Sequence, residues 1–188
     1  MATRDQVDEL KSKMAEERAG LIATARSLSH NDALRVPRDA EGEEQWTALE
    51  QLAHLHEMER TYDAWVRAAL EEDGADLAHI PWQPVPVPVE EANGHTVDAL
   101  LRNLELERAY TLGLIDGLSL DAFDRTAVSP MFGRLTVLQW LRSFYRHDRQ
   151  HGAQIAGRKS DYQPGFKGKE PDQRQARLDL AARRARGQ

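Results

Sequence analysis

The sequence contains no cysteine. This excludes a disulfide framework and a cysteine nucleophile, and it leaves histidine, carboxylate and water as the available metal ligands. A reducing cytoplasm is the simplest compartment for such a chain. No apolar run approaches the ~20 residues needed to cross a bilayer, so no membrane partner is expected. The polar start, Met1-Ala2-Thr3-Arg4-Asp5-Gln6, has neither the apolar core of a signal peptide nor a transit-peptide pattern. With only 12 glycines and 8 prolines in 188 residues, the composition is not that of a disordered chain. No strand pattern of alternating apolar and polar residues stands out.

What is present suits one helical domain. Apolar residues make up 40% and charged residues 30%, enough for a hydrophobic core at this length. The net charge of −6 is unevenly spread: residues 1–157 carry 16 Lys+Arg against 27 Asp+Glu, and residues 158–188 carry 9 against 4. An acidic body of −11 argues against nucleic acid as a partner, because a binder of DNA or RNA concentrates positive charge on its folded face. The tail of +5 is suited to docking on the body or on a second subunit.

Helical periodicity marks four long segments, over about residues 3–28, 47–72, 96–118 and 136–157. Three of them open on a capping box, Thr3 with Gln6, Thr47 with Glu50 and Thr136 with Gln139. Between the second and third segments, Pro81, Pro84, Pro86 and Pro88 forbid a helix and point to an ordered crossover. The polar segment after the first helix, through Pro37 and Gly42, reads as a loop. These features predict an all-α four-helix bundle over residues 1–157. A basic extension follows over residues 158–188, in which residues 158–170 read as a flexible surface connection and Pro171 as the start of a short last helix.

The most informative spacing is His147-Asp148-Arg149-Gln150-His151, because residues four apart on a helix share a face and can share an ion. Both histidines fall on the apolar arc centred on Phe144. They can be read as neutral, hydrogen-bonded core histidines, or as two ligands of a metal that satisfies both rings at once. A third ligand would come from the second helix, where His54 and His56 lie on opposite margins of the apolar face, about 100° either side of Leu55. Periodicity does not choose between them. His30, His79 and His95 fall in loops or at helix ends and read as exposed polar residues. Glu59 and Arg108 each fall about 40° from a core leucine, where charge is unexpected. They suggest a buried ion pair fixing helix register, or, for Arg108, a partner for an acidic substrate group. Asp148, turned about 100° from His147, reads as a hydrogen-bond partner behind the site or a surface charge. Trp65, Trp140, Tyr62 and Phe144 read as core aromatics, some of them near the metal.

At these residues the chain resembles the DinB-like (YfiT-type) metalloprotein superfamily. The segment from Trp46-Thr47 through Glu50-Gln51-Leu52-Ala53-His54-Leu55 is similar to that family's second helix, where one ligand histidine follows a W-[ST]-x-x-[EQ]-x-[LI] lead. The run His147 to Gln154-Ile155 is similar to its closing H-x-x-x-H-x-x-Q-I pattern. Together with Leu100 through Arg108 and Leu138-Gln139-Trp140, the resemblance covers nearly all of residues 1–157. It implies one divalent metal ion held by His54, His147 and His151, with His56 behind the site or at the surface. The basic tail lies outside it.

Three neutral imidazoles leave a coordination sphere open, as in a catalytic site and unlike a closed structural one. Zinc suits such a set with a fourth, exogenous ligand; nickel is the other expected ion, and ligand softness alone does not choose. The resemblance implies an S-transferase that uses a low-molecular-weight thiol; the alternatives are a metal-dependent hydrolase, with metal-bound water as nucleophile, and a non-catalytic metal-binding stress or interaction protein. A small-molecule substrate and a homodimer are expected with it.

Overall fold

The four long helices all begin on threonine. Thr3, Thr47, Thr96 and Thr136 are extended, and each hydroxyl accepts from the amide three residues ahead. Gln6, Glu50 and Gln139 close three of the caps by accepting from the threonine's own amide. The computed structural model describes residues 1–36, 45–162 and 164–166. Its helices are α1 (Arg4–Arg26), a single turn α2 (His30–Ala33), α3 (Ala48–Glu71), α4 (Val97–Asp116) and α5 (Val137–Ile155). The turn α2 lies in what periodicity reads as loop; it forms because the Ser29 hydroxyl caps the Asp32 amide at 3.2 Å.

Side-chain pairings fix the helix directions. Lys11 meets Asp116 and Arg26 meets Asp98, so α1 and α4 are antiparallel. Tyr62 packs on Phe144 and Gln51 on His151, so α3 and α5 are antiparallel. Thr47 bonds Asn93 just before α4, and Glu59 meets Arg108 and Thr111 halfway along, so α3 and α4 run the same way. Residues 72–96 therefore return along the bundle. Their proline-rich part is extended, and a 3-10 helix at Val89–Gly94 then tucks Val89 and Ala92 into the core.

A small sheet departs from the all-helical expectation. Strand β1 (Ala75–Asp76) pairs in parallel with β2 (Thr126–Ser129), which forms a hairpin with β3 (Gly133–Thr136). Strands of two to four residues are too short to show a period of two, and β1 pairs with a partner fifty residues away. Gly133 closes the hairpin at a φ of +81°, a conformation that suits glycine. The hairpin loop carries Met131 and Phe132 to the start of α5. The short helix expected after Pro171 lies outside the described residues.

The core has two apolar clusters, one around Met14, Met58, Ile115 and Trp140, the other around Leu21, Leu49, Leu52, Leu101 and Leu104. Between them lies a layer of four buried charges, one from each long helix: Arg18, Glu59, Arg108 and Asp148. Arg18 grips Asp148 with two donors at 3.0 Å, and Arg108 grips Glu59 at 2.7 and 3.1 Å. The pairs are cross-linked by Arg18 to Glu59 and by Arg108 to Asp148 at 3.0 Å. The remaining guanidinium nitrogens donate to the carbonyls of Leu104 and Met14. Burial works against the charge of Glu59, but Arg18 and Arg108 outweigh it and hold its carboxyl at about 2.

Removing one charge from this layer strands its partners. Glu59→Gln is expected to cost about 3–5 kcal/mol of stability, the scale for breaking a buried ion pair. Urea unfolding measures it; a loss below about 1 kcal/mol, the surface-pair scale, would show that the layer is not desolvated.

Candidate metal centre

The seam between α3 and α5 carries the histidines. On α3, His54 is fully buried, with the edge of Trp46 against its ring at a centroid distance of 4.7 Å. On α5, His147 and His151 stand one turn apart with centroids 4.6 Å from each other and 5.0 and 5.2 Å from His54. One nitrogen from each ring lies within 4.8 Å of the other two. His56, one position past Leu55, turns the other way and meets Glu107 of α4 at 3.4 Å. His30 and His79 are exposed and His95 is half-buried.

Gln51 sets the orientation of one ring. Its amide nitrogen donates to the Trp46 carbonyl at 3.3 Å, which turns its oxygen toward His151 Nδ1 at 3.1 Å. His151 Nδ1 then carries the proton, and its Nε2 presents a lone pair to the space shared with His147. The two Nε2 atoms are 2.9 Å apart. Two zinc ligands at about 2.0–2.1 Å with tetrahedral angles would stand roughly 3.3 Å apart, so a small opening of the rings admits an ion. Burial pushes His147 down to about 4, against the upward pull of Asp148 and Glu59. Burial and then His147 push His151 well below its ordinary value. His147 and His151 are therefore neutral near pH 7, the form that coordinates, and the donor set fits a divalent cation.

The model of the DinB superfamily matches residues 6–155. The chain belongs to this superfamily. Among solved structures, this DinB chain is similar to YfiT from Bacillus subtilis, with a TM-score of 0.65 and 17% identity, covering 84% of this chain and 87% of that one. That structure is described as "a probable metal-dependent hydrolase with an unusual four-helix bundle topology". At this identity the likeness establishes the shared fold. Comparison with the curated proteins gives no match.

His54 and His147 line a cavity of about 250 Å³, and His151 does not line it. Met58, Tyr62, Phe132 and Leu135 line its apolar side, and Trp82, 44% exposed, stands at its edge. Glu59, Arg108 and Asp148 do not line it; they are joined to one another, and all four nitrogen–acceptor pairings of Arg108 are to protein groups. Of the core aromatics, Tyr62 is both in the core and at the cavity, its ring 6.0 Å from His147, whereas Trp65, Trp140 and Phe144 stay in the core. Sequence reasoning passed over Arg18, Gln51 and Arg146. Arg18 had a signal, an interruption of the α1 apolar stripe between Met14 and Leu21; Gln51 and Arg146 had none.

The buried rings make stability depend on pH. Unfolded histidines protonate near pH 6.5, while folded His147 stays neutral to about 4, so the unfolded state binds the extra protons between these values. In chelator-treated protein the melting temperature is expected to hold above about pH 6.5 and to fall as pH drops toward 4. Glu59 adds a further loss from about 4.5 down to about 2. A level melting temperature from pH 7 to 5 would mean that the rings are solvated.

Proposed function

We propose that His54, His147 and His151 together hold one divalent cation, zinc or nickel, and that the chain is an enzyme acting on a small molecule in the adjoining cavity. The observation that carries this reading is the convergence of three buried imidazoles beside a cavity that two of them line. A cation there supplies a Lewis acid that lowers the pKa of an exogenous nucleophile. Residues 1–157 form the bundle that carries the three histidines, and residues 158–188 are an extension whose Tyr162 and Phe166 reach the cavity.

The chain's own residues position and exclude. Gln51 holds the His151 ring, and Trp46 packs against His54. The apolar wall of Met58, Tyr62 and Phe132 keeps the reacting groups out of bulk water. Among the described residues no carboxylate lines the cavity. Glu59, the nearest buried carboxylate on α3, is held as an anion by two arginines and is not placed to take a proton. A small exogenous thiol suits such a cavity, because a thiol needs less help from a protein base than water does. Hydrolysis is the second reading, favoured by the description of YfiT as a probable metal-dependent hydrolase.

Elemental analysis is expected to give about one metal ion per chain in wild type and a large loss in each of His54→Ala, His147→Ala and His151→Ala. His56→Ala should retain the metal. Gln51→Leu should weaken affinity by about ten- to a hundred-fold, the scale for losing a partner behind a ligand histidine. Turnover of electrophiles by the loaded protein should require added thiol and cease on chelation. Hydrolysis of esters or amides without thiol, with thiol only inhibiting, would give the function to the second reading.

The homodimer implied by the resemblance is supported by Leu106 and Tyr110, which stand 63% and 71% exposed one turn apart on α4. Sedimentation is expected to show a dimer in wild type and a shift toward monomer in Leu106→Glu; a wild-type monomer at micromolar concentration would remove the proposal.

A further inference from the structure

We propose that the cavity receives a small organic carboxylate with an apolar body, paired through its carboxylate to Arg146 and held by a wall formed from Tyr162 and Phe166. This rests on reading the cavity as the substrate site, and it assigns substrate class and specificity to residues that the metal reading does not use.

The charge pattern points to an anion. Arg146 is the one formally charged side chain among the described residues lining the cavity, and no acidic side chain lines it with Arg146. No ion pair joins Arg146 to a carboxylate among the described residues; its guanidinium sits beside two aromatic rings, 5.9 Å from the centroid of Tyr145 and 5.8 Å from that of Tyr162. Such stacking fixes the plane of a guanidinium; Arg146 also hydrogen-bonds the Tyr162 side chain, and a guanidinium's five N–H donors leave others for a carboxylate. The body of the ligand meets a different chemistry. Met58, Phe132 and Leu135 face the same space as Phe166, and the Phe132 and Phe166 centroids are 5.1 Å apart.

The wall comes from a segment beyond the residues that match the superfamily, which end at 155. Gly157 makes this possible. At a φ of +66° it ends α5 in a Schellman turn, with its amide bonded to the Gln154 carbonyl at 2.9 Å and the Arg158 amide to the Ala153 carbonyl at 2.8 Å. The chain then reverses along α5. Asp161 pairs with Arg149, Ser160 accepts from the Tyr162 amide at 3.1 Å, and Tyr162 arrives over Arg146, one turn nearer the start of the helix. Read from sequence, this stretch is a flexible surface connection; in the structure, Tyr162, Pro164 and Phe166 are half-buried against the cavity because their rings find Arg146 and Phe132.

Calorimetric titration of the chelator-treated full chain with 3-phenylpropionate and with its neutral amide separates this proposal from the metal reading. The acid is expected to bind at least about ten-fold more tightly than the amide, the scale of one charge-assisted contact. Arg146→Gln should abolish that preference, and Phe166→Ala should weaken both ligands by a similar factor; far-ultraviolet circular dichroism checks that each variant is folded. Equal binding of acid and amide to wild type, or a preference that survives Arg146→Gln, overturns the assignment of Arg146. Unchanged binding in Phe166→Ala overturns the wall. Acid binding that appears only in metal-loaded protein overturns the proposal while leaving the metal reading standing. An Arg146-dependent preference, together with elemental analysis showing that untreated wild type takes up no metal, supports the proposal and removes the metal reading instead.

Discussion

Two guanidinium groups and two carboxylates are buried at mid-height in the bundle, one on each long helix, and none of them is tolerable there alone. An unpaired charge taken out of water costs several kcal/mol, and the layer avoids that cost because Arg18, Glu59, Arg108 and Asp148 each find two of the others within hydrogen-bonding distance or a shared partner. Sliding any helix by one residue would rotate its charge by about 100° out of the layer. Helix register is therefore tied to this layer more tightly than apolar packing alone would tie it, since apolar side chains repack with modest loss. The histidines share that register. His147 immediately precedes Asp148, and His54 stands just over one turn before Glu59, so the geometry of the histidine cluster follows from the placing of the ion pairs.

The layer also sets the electrostatics of its surroundings. Its two positive and two negative charges cancel, so burial is the largest influence on the neighbouring rings and keeps His147 and His151 neutral. Had one arginine stood there uncompensated, a divalent cation would meet repulsion; had one carboxylate stood alone, it would favour the protonated, non-coordinating imidazolium. Arg146 lies outside this cancellation, facing the cavity with aromatic rings as its neighbours. The molecule thus separates charge that holds the fold from charge available to a ligand.

The parts legible in the sequence are those governed by local rules. A threonine followed three residues later by Gln or Glu marks a helix start wherever it lies, and the structure has all three such boxes closed. A spacing of four placed His147 and His151 on one face because one helix carries both. Choosing His54 over His56 was beyond periodicity, since both flank Leu55; the choice depends on which neighbour lies on which side, α5 for His54 and α4 for His56. The pairing of β1 with β2 and the grip of Arg18 on Asp148 are likewise long-range. Arg18 was visible only as a polar gap in an apolar stripe, and its partner could not be named without the bundle's helix order. Gly157 was visible as a glycine after a helix, but where the chain goes after reversing is decided by rings that lie far back in sequence, Phe132 above all.

Those long-range parts surround the cavity. The three clustered histidines sit on α3 and α5, whereas much of the cavity wall comes from irregular segments: Trp82 from the return between α3 and α4, Met131 and Phe132 from the hairpin, and Tyr162 and Phe166 from beyond α5. A bundle needs its apolar pattern, its caps and its buried ions, and these demands leave most side chains free, in keeping with a fold shared with YfiT at 17% identity. The irregular walls carry no such demand. They can change length and chemistry without moving His54, His147 or His151, because none of them contributes to the four-charge layer that fixes those residues. The placing of the three histidines and the choice of cavity wall are therefore physically separable in this architecture, and the wall-forming segment that follows Gly157 lies beyond residues 6–155, which match the superfamily.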